Sequence, residues 1–306
     1  MAYPVSPGYP SASGVFIPEI WSGKLIEKYY DASILPQISN TDYEGEISAK
    51  GDKVIIRTRP TITIRDYVEG QALINETPEG DTLELLIDQG FYWSTKIGDI
   101  TKKQQDVDQM NLWAEDAAEQ MKIKLDTRVL GSVVPDFHAS NVGATAGRIS
   151  GDINLGVTGT PLGLTAANIL ATILNAGQVL DEQNVPETGR FIVLPFWATN
   201  LLKQSDLKLA SLTGDSMTPL RNGKVGMVDR FTLYNSNLLP KYTDGSDTTY
   251  HFPFGTQDGL TFATQLTETE NLRVESTFGD IMRGLLVFGF EVIKPEALGA
   301  IYATKG

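Results

Sequence analysis

The sequence predicts an α+β fold, and three features along the chain indicate it. A long amphipathic helix is expected between Asp99 and Leu130, and a pair of β-patterned segments precedes it. Shorter helices and strands alternate in residues 151–270, which is typical of a small mixed α/β unit. We therefore expect a chain of several parts that are arranged around one long helix.

The long helix is defined by its apolar pattern. Its apolar residues recur every three or four positions, which places them on one stripe of an α-helix. They are Val107, Met110, Ala114, Ala117, Met121 and Leu125. Gly131 follows the last apolar pair, and Pro135 prevents continuation. A helix of this length would span about 45 Å, so it can serve as a spine for the rest of the chain.

Composition limits the functions that the chain can have. The 306 residues are 41% hydrophobic, which is enough for a real core, and a net charge of −13 argues against a protein that wraps nucleic acid. The absence of cysteine excludes disulfides and thiolate metal sites. The N-terminus lacks the pattern of a cleaved signal peptide, and no segment approaches the roughly 18 apolar residues of a membrane span. A soluble chain without membrane contact is predicted.

The first fifty residues predict an arm. Residues 1–14 are rich in Pro, Ser, Gly and Ala, a composition that buries too little apolar surface to fold alone. A dense apolar run follows and predicts a short helix from about Pro18 to Asp31. Phe16, Trp21 and Tyr29 are the candidate anchors of this arm. Two surfaces can receive them, the body of the same chain or a neighbouring chain.

Residues 51–98 predict a long two-stranded β-hairpin. Ile62 and Ile64 alternate with polar neighbours on the outgoing limb, and a second β-patterned segment returns. Between them, Thr77 to Gly80 carry a turn signal, so the tip is expected near Asn75 to Asp81. An isolated hairpin of this length is marginal in water, and it must therefore lie on another surface.

Charged residues are sorted along this hairpin. The basic residues on the outgoing limb are Arg57, Arg59 and Arg65. The acidic residues at the tip are Glu76, Glu79 and Asp81. One interpretation is a contact between copies, in which the basic limb of one chain meets the acidic tip of the next. The other is a solvated hairpin, in which each charge contributes little.

No catalytic, cofactor-binding or metal site is predicted. His138 and His251 are far apart in sequence, so carboxylates would have to supply most of a zinc site. Ser216 lies in GDSMT, which is not the Gly-x-Ser-x-Gly turn of a serine hydrolase. The glycine-rich segment 151–163 lacks the Lys-Ser/Thr pair of a phosphate loop and the apolar strand before it.

Several segments, taken in order, resemble a known family. The arm is followed by GDKVIIRTRPTITIRDYVEGQAL and then by DITKKQQDVDQMNLWAEDAAEQM, and the chain closes with STFGDIMRGLLVFGFEVIKPEALGAIYA. This order resembles the major capsid proteins of tailed bacteriophages, which have the Hong Kong 97-like fold. The resemblance covers both ends of the chain and its spine, and its weight lies in the order of the segments.

The resemblance implies both a division of the chain and a function. The parts are an N-terminal arm at 1–50, an extended loop at 51–98, a peripheral domain with the spine helix at 99–150, an axial domain at 151–270, and C-terminal strands at 271–306 that return to the peripheral domain. It implies hexamers and pentamers in an icosahedral shell that encloses double-stranded DNA without sequence-specific binding, in a virion assembled in the host cytoplasm. The partners it implies are a separate scaffolding protein, a portal protein and decoration proteins.

Two further points concern covalent bonds and alternative functions. Some members of that family join subunits by an isopeptide bond from a lysine on the extended loop. No lysine occurs between Val54 and Thr95, so we expect a shell without that crosslink. An encapsulin-like nanocompartment is the nearest alternative, although a Pro/Ser/Gly tail stands where its cargo-binding helix usually begins. An acidic metal-dependent hydrolase is a more distant one, because no spacing indicates a carboxylate cluster.

Overall fold

A computed structural model describes residues 30–43, 53–104, 109–205, 226–274 and 277–306. The arm residues Phe16, Trp21 and Tyr29 lie outside the described residues, as does nearly all of the helix predicted from Pro18 to Asp31. Where the description begins, residues 30–34 are not helical.

The described residues contain both helices and strands. The helices are α1 (Leu35–Ile38), α2 (Asp99–Gln104), α3 (Gln109–Ser132), α4 (Ile169–Glu182) and α5 (Phe196–Gln204). The strands are β1 (Lys53–Arg57), β2 (Thr82–Leu86), β3 (Gln89–Gly98), β4 (Leu162–Leu164), β5 (Arg190–Leu194), β6 (Met227–Val228), β7 (Phe231–Asn235), β8 (Lys241–Asp244), β9 (Asp247–Thr256), β10 (Leu260–Arg273), β11 (Gly279–Val292) and β12 (Leu298–Lys305). The prediction of a mixed helix and sheet architecture is confirmed.

Within those residues the strands form three sheets. β1 and β2 make a two-stranded antiparallel ladder. β10, β11 and β3 make a three-stranded antiparallel sheet with β11 in the centre. The largest sheet has seven strands in the order β4-β12-β9-β5-β7-β6, with β8 paired to β9. It is mixed, because β4 is parallel to β12 and β5 is parallel to β7.

The seven-stranded sheet carries the main core. Every side chain of β5 is buried, as expected for a strand with neighbours on both sides, so the predicted buried strand at Phe191–Leu194 is confirmed. Helix α4 contributes Ile169 and Ile173 to the same core. Phe231 of β7 and Phe254 of β9 meet edge to face, with ring centroids 6.1 Å apart.

The predicted spine is described as two helices, α2 and α3, and Val107 lies among residues 105–108, outside the described part. Met110 of the predicted apolar stripe is buried. The other described members are only half-buried: Ala114, Ala117, Met121 and Leu125. Their side of the helix faces the three-stranded sheet. Near the carboxyl end of the helix, Val129 and Leu130 are fully buried and join the main core.

A buried carboxylate joins the spine to the segment that follows the arm. Asp126 of α3 accepts hydrogen bonds from the Ser33 hydroxyl at 2.9 Å, the Ile34 N–H at 2.6 Å and the Leu35 N–H at 3.4 Å. Burial raises the pKa of Asp126, and these hydrogen bonds oppose the rise because they favour the charged form. The carboxylate therefore supplies acceptors to the buried start of α1.

The predicted hairpin has a shorter ladder and a different tip. β1 pairs with β2 over five residues, and residues 58–81 form no strand. In every pair of β1 with β2, and in the Thr58–Asp81 contact, the two residues are the same number of positions along the chain from the Glu69–Gly70 peptide. The tip therefore lies at Glu69–Gly70 and not at Asn75–Asp81. The long ladder was wrongly predicted because Pro60 and Pro78, one on each limb, lack the N–H that a ladder needs. Beyond β2 the chain changes sheets, and β3 pairs with β11.

Candidate assembly surfaces

The outer loop, residues 58–81, exposes a set of large apolar side chains. Their exposed fractions run from 62% for Ile62 to 88% for Ile64. The set is Ile62, Ile64, Tyr67, Val68, Leu73 and Ile74. Concentrated apolar surfaces of this kind mark contacts with another molecule, because a soluble monomer rarely leaves them in water.

Polar contacts tie the two limbs of the outer loop together. The Thr58 N–H donates to the Asp81 carbonyl at 2.9 Å, and the Thr63 N–H donates to Glu76 Oε1 at 2.7 Å. Arg65 Nη2 lies 3.3 Å from the second oxygen of the Glu76 carboxylate. The loop therefore keeps its two limbs together while its apolar side chains remain exposed.

The structure brings only two of the six predicted charged residues together, and it does so within one chain. Arg65 and Glu76 form the ion pair just described. Neither Arg57 nor Arg59 is ion-paired within the described residues, and the carboxylates of Glu79 and Asp81 have no ion pair there either. The pairing of these residues between copies stays a prediction.

A groove lies between the spine helix α3 and the three-stranded sheet. Its volume is about 270 Å³, and its lining is mostly apolar. We call it the spine groove, and its apolar lining is Trp93, Ala114, Ala118, Met121, Leu125, Leu285 and Leu286. The Trp93 indole lies over Gly284 of the neighbouring strand, where a larger residue would collide with it. Lys122 and Glu268 also line the groove and carry opposite charges.

A more polar cleft of about 580 Å³ lies near the carboxyl end of the same helix. The Lys124 ammonium lies over the Phe91 ring, 4.7 Å from its centroid. The Arg128 Nε–H donates to Gln89 Oε1 at 3.0 Å. Two basic side chains one turn apart thus line the cleft together with Asp88, so its charged groups are of both signs.

The sequence did not predict the spine groove as a site. Ala114, Met121 and Leu125 were predicted to be apolar helix positions, but the pattern indicates only burial and not a groove. Trp93 and Leu285 are nearly 200 residues apart in the chain, and only the pairing of β3 with β11 brings their strands together. No local signal in the sequence encodes that register.

In the described part of the chain, no three His, Asp or Glu residues are placed to hold a metal ion. His138 Nδ1 accepts a hydrogen bond from the Ser140 N–H at 3.2 Å, as part of a turn. His251 packs between Tyr242 and Tyr302. Among the described helices, none has the length and apolar character needed to cross a membrane.

A fold with an exposed apolar loop and an apolar groove defines a class of protein that associates through extended surfaces. A model of the phage capsid protein family matches residues 95–302, which is more than half of the chain. The chain therefore belongs to the phage capsid protein family. No curated protein matches it.

Solved structures of capsids have the same fold. A chain from Mycobacterium phage Che8 is 25% identical, with a TM-score of 0.78, and the match covers 93% of this chain and 96% of that one. The capsid structure of cyanophage P-SCSP1u is 15% identical with a TM-score of 0.74 over 95% of this chain and 94% of that one. The capsid of a native GTA particle is 12% identical with a TM-score of 0.66, covering 95% and 96%.

Family membership settles the broad function. The predicted resemblance to phage major capsid proteins is confirmed. The chain is a structural protein of the virion that forms homo-oligomeric arrays, and it is not an enzyme. The alternative of an acidic metal-dependent hydrolase is therefore wrong.

Proposed function

We propose that the protein self-assembles as hexamers and pentamers into an icosahedral phage head that encloses double-stranded DNA. The observation that carries the proposal is the apolar set of the outer loop, which the chain's own body leaves exposed. In a shell, a neighbouring copy covers that set. Assembly then uses many moderate contacts, each repeated around every subunit, in place of one tight interface.

The spine groove of the next copy is the receiving surface that we propose for the outer loop. The groove and the loop are both mainly apolar, and both are accessible in the single chain. Complete burial of one aliphatic side chain contributes about 1.5–3 kcal/mol. Two or three loop residues in the groove would therefore give a weak contact between two copies, which becomes stable when it is repeated around the shell.

We propose that charged side chains of the outer loop orient this contact between copies. Arg57 and Arg59 pair with Glu79 and Asp81 of an adjacent copy, and the lack of ion pairs for these four side chains among the described residues supports that role. Arg65 and Glu76 were predicted to pair between copies as well. In the single chain they pair with each other within the loop. On assembly, this ion pair would be replaced by the equivalent pair between two copies.

The remaining expectations about assembly stay proposals. Phe16, Trp21 and Tyr29 anchor the arm on the shell, and the loop forms no isopeptide bond because it carries no lysine. A separate scaffolding protein, a portal protein and decoration proteins are the partners, and assembly takes place in the host cytoplasm. The net charge of −13 suits a shell that must hold DNA without adhering to it.

Charge insertion into the loop apolar set tests the proposal. The variant Ile64→Asp should abolish closed shells, rings and tubes in negative-stain electron micrographs, while the circular dichroism of the subunit stays unchanged. Ile149→Asp is the matched control, because Ile149 is equally an exposed isoleucine, at 78%, but lies outside the outer loop and the spine groove. Normal shells from Ile64→Asp would overturn the role of the loop. A wild-type protein that remains monomeric at high concentration, even with its scaffolding protein added, would overturn the function.

A further inference from the structure

A separate cavity of about 600 Å³ lies beside the seven-stranded sheet, away from the outer loop and the spine groove. One wall is aromatic. His251 of β9 and Tyr302 of β12 are cross-strand partners with ring centroids 4.7 Å apart, and Tyr242 of β8 stands edge-on to His251 at 5.1 Å. The opposite wall comes from the turn after the spine helix and includes Val134 and Phe137. Its volume is that of an ordinary ligand site.

Hydrogen bonds and one close backbone contact fix the lining of the cavity. The Tyr302 N–H donates to the Leu155 carbonyl at 2.8 Å, which fixes the 155–158 segment against β12. Gly156 has a φ of +84°, and a side chain there would collide with the Tyr302 carbonyl. The Tyr302 hydroxyl donates to Asp244 Oδ2 at 3.2 Å and accepts from the Thr249 hydroxyl at 2.8 Å.

Two polar groups of the aromatic wall have no hydrogen-bond partner among the residues that the structure describes. Neither the imidazole nitrogens of His251 nor the Tyr242 hydroxyl forms a hydrogen bond with any residue that the structure describes. Both side chains line the cavity. Burial lowers the pKa of His251, so the ring is neutral at physiological pH and presents one N–H donor and one acceptor. A ligand with hydrogen-bonding groups on an apolar body would satisfy them.

The lining also limits the charge of the ligand. None of the described residues that line the cavity is Lys, Arg, Asp or Glu. Phosphates and nucleotides therefore do not fit, because nothing there would compensate their charge. An uncharged segment with apolar rings and free carbonyl acceptors fits better.

The same polypeptide contains such a segment. Residues 1–14 carry no charged side chain, and Pro4, Pro7 and Pro10 are spaced by three, with tyrosines at positions 3 and 9. A peptide in the polyproline II conformation has three residues per turn, so prolines at this spacing lie along one edge and the backbone carbonyls have no internal donor. Grooves lined by aromatic side chains recognise peptides of this kind. A tyrosine hydroxyl in such a groove can donate a hydrogen bond to a free backbone carbonyl.

We propose that the cavity between the turn after the spine helix and the β8-β9-β12 edge binds the Pro-rich segment of residues 3–10 of this polypeptide. The segment comes from the same chain or from a neighbouring one, and the experiment below distinguishes the two. The prolines contact Tyr242, His251 and Val134, and the Tyr242 hydroxyl donates to a backbone carbonyl of the segment.

Photocrosslinking of the full-length chain tests the proposal. Tyr9 is replaced by p-benzoylphenylalanine, and the crosslinks are mapped by mass spectrometry. They should fall within residues 131–143, 156–158, 242–251 or 300–302, which line the cavity. Mixing chains labelled with heavy and light isotopes then tells whether the segment comes from the same copy. Crosslinks that map mainly elsewhere on the chain would overturn the proposal.

Three variants sharpen the test. Val157→Trp places a large ring in the cavity from its exposed rim and should reduce the crosslink yield at least tenfold, whereas Ile149→Trp, outside the cavity, should leave it unchanged. Tyr242→Phe removes one hydrogen bond and should reduce the yield roughly three- to tenfold. An unchanged yield in Val157→Trp would overturn the proposal. Electron microscopy of the same samples separates this outcome from a failure of shell assembly.

Discussion

The seven-stranded sheet and the outer loop use the same residue types in opposite ways. In the sheet, Phe231, Phe252 and Phe254 are fully buried within a single chain. In the loop, Ile64 and Leu73 are exposed although they are as apolar as core residues. The sheet is stable by its own packing, whereas the loop has apolar side chains that only a second molecule can cover. The difference separates residues that fold the subunit from residues that assemble it.

The largest expected effect tests this separation directly. Phe254→Ala should lower the free energy of unfolding of the subunit by about 3–5 kcal/mol, because it opens a cavity in the main core. Ile64→Ala should change it by less than about 0.5 kcal/mol, since its side chain is exposed. Urea denaturation monitored by tryptophan fluorescence measures both. Equal losses in the two variants would contradict the division into a folding region and an assembly region.

The next effect concerns the joint between the spine and the segment after the arm. Asp126→Ala leaves the Ser33 hydroxyl and the Ile34 N–H without their buried acceptor and should cost about 1–3 kcal/mol of unfolding free energy. Asp152→Ala is the control, because Asp152 is exposed and forms no ion pair within the described residues. Similar urea midpoints for the two variants would mean that the joint adds no stability.

A smaller effect depends on pH. Burial alone would raise the pKa of Glu182, but the N–H groups of Ser150 and Ile149, at 3.0 and 2.7 Å, lower it from 4.5 to about 2. Because the folded pKa lies below the unfolded one, this carboxylate stabilises the fold above pH 4.5, and the contribution is lost as the pH falls toward 2.

Glu182→Gln should therefore be less stable than the wild type at pH 7, and the difference should shrink between pH 4.5 and pH 2. Unfolding by urea across that range measures it. Glu79→Gln is the control, because that side chain is exposed on the outer loop. A gap between wild type and Glu182→Gln that stays constant with pH would rule out a lowered pKa as its source.

The smallest effect per residue is expected from the loop arginines. Each exposed ion pair contributes about 0.2–1 kcal/mol, yet repetition over a shell multiplies it. Reversal of Arg57 and Arg59 to Glu should slow assembly at low salt, as followed by light scattering, and added salt should narrow the difference from the wild type. Lys305→Glu, at an exposed position away from the loop, is the control. Identical assembly of the double variant at low salt would remove charge pairing from the mechanism.

Local patterns in the sequence determined the helices and strands whose formation depends on residues close together in the chain. The spacing of apolar residues predicted the helix that spans Gln109–Ser132, and a run of apolar residues predicted the buried strand at Phe191–Leu194. Periods of 3.6 and 2 are properties of the backbone itself, so they are visible in the sequence. The order of segments was also enough to indicate a phage capsid protein.

Tertiary structure alone decided how distant segments meet. The outer loop turns at Glu69–Gly70 because the register of β1 on β2 sets its centre, although the turn signal in the sequence lies at Thr77 to Gly80. β3 leaves the hairpin for β11, almost 200 residues away, and so places Trp93 beside the spine helix. Pairing over such distances depends on packing energies summed over many residues, and no local period in the sequence encodes that sum.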